Sequence, residues 1–172
     1  MKTERPPRSG QRPAESAGTA AGAPAGASAQ ERLIDGGAEE ITISAGRDDA
    51  ALELGDRLRP FLRRLLRSDG LVSLTALSPL CSLAILDTEP GALADFLARL
   101  EILAPRNEYY TINMRTAADR SGAARVRSGL LPRSLTLPYR DRKPILPDDA
   151  AIFLIRHDPA RTPEMRVLLS SF

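Results

Sequence analysis

One cysteine and one histidine stand in a chain of 172 residues, and tryptophan is missing. A lone thiol closes no intrachain disulfide, which excludes a disulfide-stapled secreted scaffold. A lone imidazole excludes a zinc site built from several His or Cys ligands, and any triad needing two histidines. Aromatic residues make up 4%, too few for a groove that stacks sugars or bases on aromatic rings. No apolar run approaches the ~20 residues that span a bilayer. The opening MKTERPPRSG lacks the apolar core of a secretory signal, so a cytoplasmic location is the expectation. Charge of one sign is also lacking. The 24 basic and 22 acidic residues leave +2, short of the basic footprint of a dedicated nucleic-acid binder. The G-x-G-x-x-G, P-loop, H-E-x-x-H and G-x-S-x-G motifs are absent as well.

What is present is ordinary for a globular domain: 42% hydrophobic and 27% charged residues. The first 36 residues differ from the rest. Their small residues, as in AESAGTAAGAPAGASA, follow no apolar period and bury too little surface to offset ordering entropy. A disordered tail over 1–36 and one domain over 37–172 are expected. Arg and Ser in the tail raise a transit peptide as the alternative; Glu4, Glu15 and the lack of an amphipathic face speak against it.

Alternation predicts a strand over 41–44, a turn at 46–49 and a returning strand over 50–54. Leu58, Phe61, Leu62 and Leu65 then share a helical face over 57–67, with Asp56 as N-cap and Gly70 at the C-terminal end. Strands are expected over 71–77 and 82–86. Asp87, Thr88 and Pro90 signal a helix start, and Leu93, Phe96, Leu97, Leu100 and Leu103 give that helix its face until Pro105. The segment 106–121 reads as irregular and 123–131 as a short helix. Strands follow over 134–139, 150–157 and 164–170. The order is β-rich α+β with mostly antiparallel strands, not a doubly wound fold.

The run from Gly70 to Pro105, GLVSLTALSPLCSLAILDTEPGALADFLARLEILAP, resembles the core of the YjbQ-like family, as do SLTLPY at 134–139 and AIFLIRHD at 151–158. Members of that family are often named secondary thiamine-phosphate synthases. The resemblance implies a sandwich-like α+β core, a homotrimer with pockets at subunit boundaries, and the joining of a pyrimidine diphosphate to a thiazole phosphate. It also implies three histidines, as metal or phosphate ligands, at positions that here hold Ser78, Ile112 and Arg125. The family's Gly-Thr-Trp-Gln falls on residues 147–150, and its late-strand Glu on Arg156. None of the three replacing residues does imidazole chemistry at pH 7.

Several residues carry chemistry by type. His157 reads as a general acid–base group or as a strand-end histidine bonded to its surroundings. Asp87 pairs with Glu89 for acid–base work or a hard cation, or the two serve the following helix start. Cys81 reads as a nucleophile or as a small buried hydrophobe. Eight basic residues between Arg115 and Lys143 face only Asp119 and Asp141, and arginine forks match phosphate geometry. The expectation is therefore an altered pocket that binds a phosphorylated small molecule through Arg125, Arg127, Arg156 and Ser78, with His157 and Asp87 as the catalytic candidates. No metal ligand set and no cofactor are expected. A catalytically inactive anion-binding or scaffold protein is the alternative, and a weak RNA binder using the 115–143 cluster is a third reading.

Overall fold

The computed structural model describes residues 35–115 and 120–172; the expected tail, apart from Asp35 and Gly36, lies outside them, as does Asp119. The described elements run β1 (Gly37–Ser44), β2 (Ala51–Glu53), α1 (Gly55–Arg64), β3 (Gly70–Ala76), β4 (Cys81–Asp87), α2 (Ala92–Leu103), α3 (Thr111–Arg115), α4 (Gly122–Leu130), β5 (Ser134–Arg140), β6 (Lys143–Pro144), β7 (Ala150–Arg156) and β8 (Glu164–Ser171). They form a β-rich α+β fold of two sheets, ordered β1-β8-β3-β5-β6 and β2-β7-β4. Every strand pairing in them is antiparallel.

Period-two burial sets the layers. In the larger sheet Val72, Leu74, Leu137, Met165, Val167 and Leu169 point inward. The opposite face carries hydroxyls, with Thr75 Oγ1 and Ser134 Oγ 3.0 Å apart and Thr136 Oγ1 donating to Ser73 Oγ at 3.2 Å. That alternation is what a one-sided antiparallel sheet requires. In the smaller sheet, β7 is buried on both faces. Ile152 and Leu154 join Leu58, Phe61 and Leu62 of α1 in the central core. Ala151, Phe153 and Ile155 pack with Leu100 of α2, flanked by Leu93, Phe96 and Leu97. The unbroken apolar run AIFLI therefore reflects cover on both sides.

Four local expectations change. The strands at 41–44 and 50–54 do not form a hairpin: β1 pairs with β8 and β2 with β7, in different sheets. Their partners lie far along the chain, and each pairing buries a face that a local hairpin would leave open. Helix α1 starts at Gly55 with Leu54 as N-cap and no side-chain cap. Asp56 sits inside the first turn, 3.2 Å from Arg59. Leu65, in extended conformation, ends α1, and Gly70 opens β3 instead of capping the helix. Asp87 does turn the chain, accepting from the Glu89 amide at 2.7 Å, yet α2 begins only after Gly91, whose φ of 96° suits glycine. The segment 106–121 contains the short helix α3.

Candidate functional site

β7 delivers the single histidine to one end of the smaller sheet. The His157 amide donates to the Leu80 carbonyl at 3.0 Å, on the turn between β3 and β4. Its Nε2 lies 3.0 Å from Ser82 Oγ, and Ser82 Oγ donates to the Ser128 carbonyl at 3.3 Å. A carbonyl only accepts, so the one Ser82 proton is committed to it and the ring carries its own proton on Nε2. Burial, helped by the charge of Arg127, pushes the imidazole down to about 4; it is neutral at pH 7. Among the described residues, Ser171 Oγ is the one buried side-chain polar atom without a partner. With the proton on Nε2, Nδ1 carries the ring's free lone pair, and His157 lines a cavity.

That cavity measures about 250 Å³, with Arg106, Arg120, Ala123, Ala124, His157 and Asp158 on its wall. Ala123 and Ala124 belong to the first turn of α4, and first-turn amides have no intrahelical partner. The helix begins where it does because Gly122 allows close approach. Its amide donates to Asn113 Oδ1 at 2.9 Å, and a Cβ there would stand 2.4 Å from Tyr110 Cβ. Arg106 is held to Glu101 at 3.3 Å. Although partial burial raises it, the Glu101 carboxyl is held below its ordinary range by the Arg106 amide and by Arg127. Asp158 pairs with Arg161 at 3.6 Å.

The structure separates the expected site residues. Arg127 is buried, with Nε and Nη2 on the Ala104 carbonyl at 2.9 and 2.6 Å and Nη2 on Glu101 Oε2 at 2.6 Å. It closes the C-terminal end of α2, where a cation also meets the helix dipole. Arg156 is 2% exposed. Its five N–H groups go to the carbonyls of Thr162, Gly46, Asp49 and Pro159, at 2.6–3.1 Å. Neither guanidinium faces the cavity unoccupied. Arg125 is exposed and lies back along α4, its Nε donating to Ser121 Oγ at 2.9 Å. Ser78 Oγ accepts from the Arg166 amide at 3.2 Å. Ile112 is half-buried on α3.

Asp87 and His157 are not brought together. In the β4–β7 register Cys81 faces Arg156 and Asp87 faces Ala150. Six strand steps, about 20 Å, therefore divide the two catalytic candidates. Asp87 and Glu89 are exposed at the far end. Burial pushes the Cys81 thiol up to about 11, against the pull of Arg156 and Arg133, so it stays protonated in the core. Sequence reasoning missed Ser82 as the histidine's partner and Arg106 as a cavity wall, and it counted Arg120 only as one member of the 115–143 basic cluster. The signal for Ser82 was a hydroxyl inside an otherwise apolar strand. Among the described residues no three His, Cys, Asp or Glu side chains gather to hold a metal ion. One imidazole, two arginines and one carboxylate, Asp158, itself paired with Arg161, favour an anion over a cation.

The family model described as UPF0047 protein YjbQ-like matches residues 39–171. Solved structures share the fold at low identity. A YbjQ-like protein of unknown function from Sulfolobus solfataricus P2 aligns with a TM-score of 0.71 and 16% identity, over 79% of this chain and 96% of that one. A hypothetical protein from Aeropyrum pernix K1 gives 0.70 and 17%, over 79% and 98%. A conserved hypothetical protein from Thermus thermophilus gives 0.63 and 20%, over 78% and 99%. No curated protein matches the sequence.

Proposed function

The chain belongs to the YjbQ-like UPF0047 family, and from that membership and the cavity beside His157 we propose that it binds a small phosphorylated molecule there. The observation that carries this reading is the meeting of Arg106, Arg120, the first turn of α4 and His157 around a cavity of about 250 Å³ whose one carboxylate, Asp158, is paired with Arg161. Arg120 and the Ala123 and Ala124 amides take the phosphate oxygens, since guanidinium forks and helix N-termini both favour anions. The neutral His157 offers its Nδ1 lone pair to the organic part of the ligand, or takes a proton from it. Arg127 and Arg156 serve as framework, and neither Arg125 nor Ser78 lines the cavity. Asp87 is too far from the cavity to share a step with His157.

The chemistry attached to the family resemblance joins a pyrimidine diphosphate to a thiazole phosphate. Its two anionic substrates suit the same wall, but Ser78, Ile112 and Arg125 supply no imidazole. A binding protein without turnover is therefore the second reading. The homotrimer implied by the resemblance belongs to the proposal too. Exposed Ile102, Leu103, Tyr109 and Met114 flank the segments that carry Arg106 and α4, and are the surface such an assembly would cover. Sedimentation tests it, and a monomer at micromolar concentration would sink the shared pocket.

The deciding experiment combines a thiamine-phosphate synthase assay with calorimetric titration of inorganic phosphate and pyrophosphate, on wild type, Arg120→Ala and His157→Gln. Binding weakened about tenfold or more in Arg120→Ala is the expected result, since one charge-assisted pair contributes about 1.5–3 kcal/mol. Turnover lost in His157→Gln makes the protein an enzyme. Binding without turnover selects the second reading. Wild type that neither binds nor turns over removes the proposal.

A further inference from the structure

A second cavity, of about 600 Å³, lies between α1 and the β5–β6 turn, and its charged walls are Arg59, Arg63, Asp141, Arg142 and Lys143. It is remote from His157. Gly70 pairs with Tyr139 beside this turn, whereas Ser78 and Leu80 follow the other end of β3, about 20 Å along the strand. The eight-charge basic cluster seen in the sequence is thus divided, and Arg142 and Lys143 serve this cavity.

Four cations face one carboxylate here, a local charge of +3. Arg59 has only an exposed pairing with Asp56 at 3.2 Å, of the kind that contributes little. The side chains of Arg63 and Lys143 have no hydrogen-bond or ion-pair partner among the described residues. Arg59 and Arg63 are four apart on α1, so they share a face about 6 Å apart along its axis. The opposite wall is unusually fixed. Asp141 and Arg142 hold φ of 51° and 58°, the left-handed region that two-residue hairpins normally fill with Asn-Gly. Two non-glycine residues stay there because the surroundings pin them. The Arg142 amide donates to Ser68 at 2.9 Å, and its guanidinium to the Leu65 and Leu66 carbonyls at 3.1 and 3.3 Å. Backbone held in a sparsely populated region for local ends is a mark of functional sites. The turn so held carries Lys143, which lines the cavity together with Arg59 and Arg63.

We propose that this groove binds a small molecule carrying two or more linked phosphates, with the size and charge of a nucleoside di- or triphosphate. Paired arginines one turn apart and a lysine across from them match successive phosphate groups. The volume falls in the range of small-ligand pockets. No aromatic side chain lines the groove, which disfavours a single-stranded nucleic acid that stacks its bases.

Calorimetric titration of the full chain with inorganic phosphate, tripolyphosphate, adenosine triphosphate and a single-stranded oligonucleotide tests this. Tripolyphosphate and adenosine triphosphate should bind at least tenfold more tightly than phosphate. Arg63→Glu and Lys143→Glu should each cost tenfold or more while leaving the melting temperature within a few degrees, because both residues are exposed. Arg120→Ala, in the other cavity, should remove only binding that Arg63→Glu leaves intact. The proposal is overturned by no tripolyphosphate binding at millimolar concentration, by unchanged affinity in Arg63→Glu, or by loss of all tripolyphosphate binding in Arg120→Ala, which would place the phosphates beside His157 alone. Oligonucleotide binding that tightens with length and outcompetes tripolyphosphate would overturn it in favour of an extended nucleic-acid surface.

Discussion

Arg156 and Arg120 stand at the same end of the smaller sheet and behave as different kinds of residue. Arg156 is 2% exposed and spends five N–H groups on four carbonyl oxygens. It ties the loop at 46–49 to the loop at 159–162. Arg120 is exposed on a cavity wall. One is an internal cross-link between backbone segments, the other a surface for a ligand. Positive charge in a sequence therefore does not by itself mark a binding site. The apolar neighbours of Arg156, in AIFLIRH, mark a guanidinium that must find its partners inside the protein.

The contrast can be broken most sharply at Arg156. Arg156→Met keeps the stem but leaves buried carbonyls unpaired, and should cost about 3–5 kcal/mol of stability, read from the urea midpoint. Arg156→Lys should recover only part, because an ammonium cannot reproduce the planar fork. A loss below about 1 kcal/mol would show that the two loops hold without the cross-link.

A smaller effect follows from His157. Its folded-state value of about 4 lies below the ordinary 6.5, so between these values the unfolded chain binds more protons than the folded one. Stability is fully present above pH 6.5 and falls as the pH drops toward 4, by up to about 3 kcal/mol. His157→Gln should flatten that part of the profile in urea midpoints measured from pH 7 to pH 4. An unchanged slope would mean that the ring titrates normally.

Arg120→Ala should do least to the fold. Its side chain is exposed, and such a surface substitution shifts stability by no more than about 0.5 kcal/mol. Its thermal melt should overlay wild type even where phosphate binding is lost. A clear destabilisation would place Arg120 with Arg156, among the cross-links.

Much of the fold was legible in the sequence because strands and helices write their period locally. ITIS, LTA and RVLL alternate, and Leu93, Phe96, Leu97 and Leu100 share a helical stripe. What was not legible was pairing. Nothing in 41–54 says that its two strands join different sheets, because their partners in β7 and β8 lie far downstream. The candidate site was legible only in part. His157 was identified and lines the cavity, but Arg127 and Arg156 were read as ligand contacts when their donors are committed to backbone carbonyls. Residue type gives a guanidinium its chemistry; only the fold decides which oxygens it meets. Asp87 failed as a partner for His157 for a related reason, since strand direction puts them at opposite ends of one sheet.

The placement of β8 bears on how the chain reaches this state. β8 lies between β1 and β3, with Gly37 opposite Ser171 and Val72 opposite the same residue. During synthesis the first strand of the larger sheet is made long before the strand that joins it to the third. Until β8 emerges, β1 and β3 present unpaired edges, the state most open to pairing with another chain. Sheet closure must wait for the domain's last strand, so assembly is expected to be slow for the size of the domain, and most exposed to aggregation when translation stalls before residue 164.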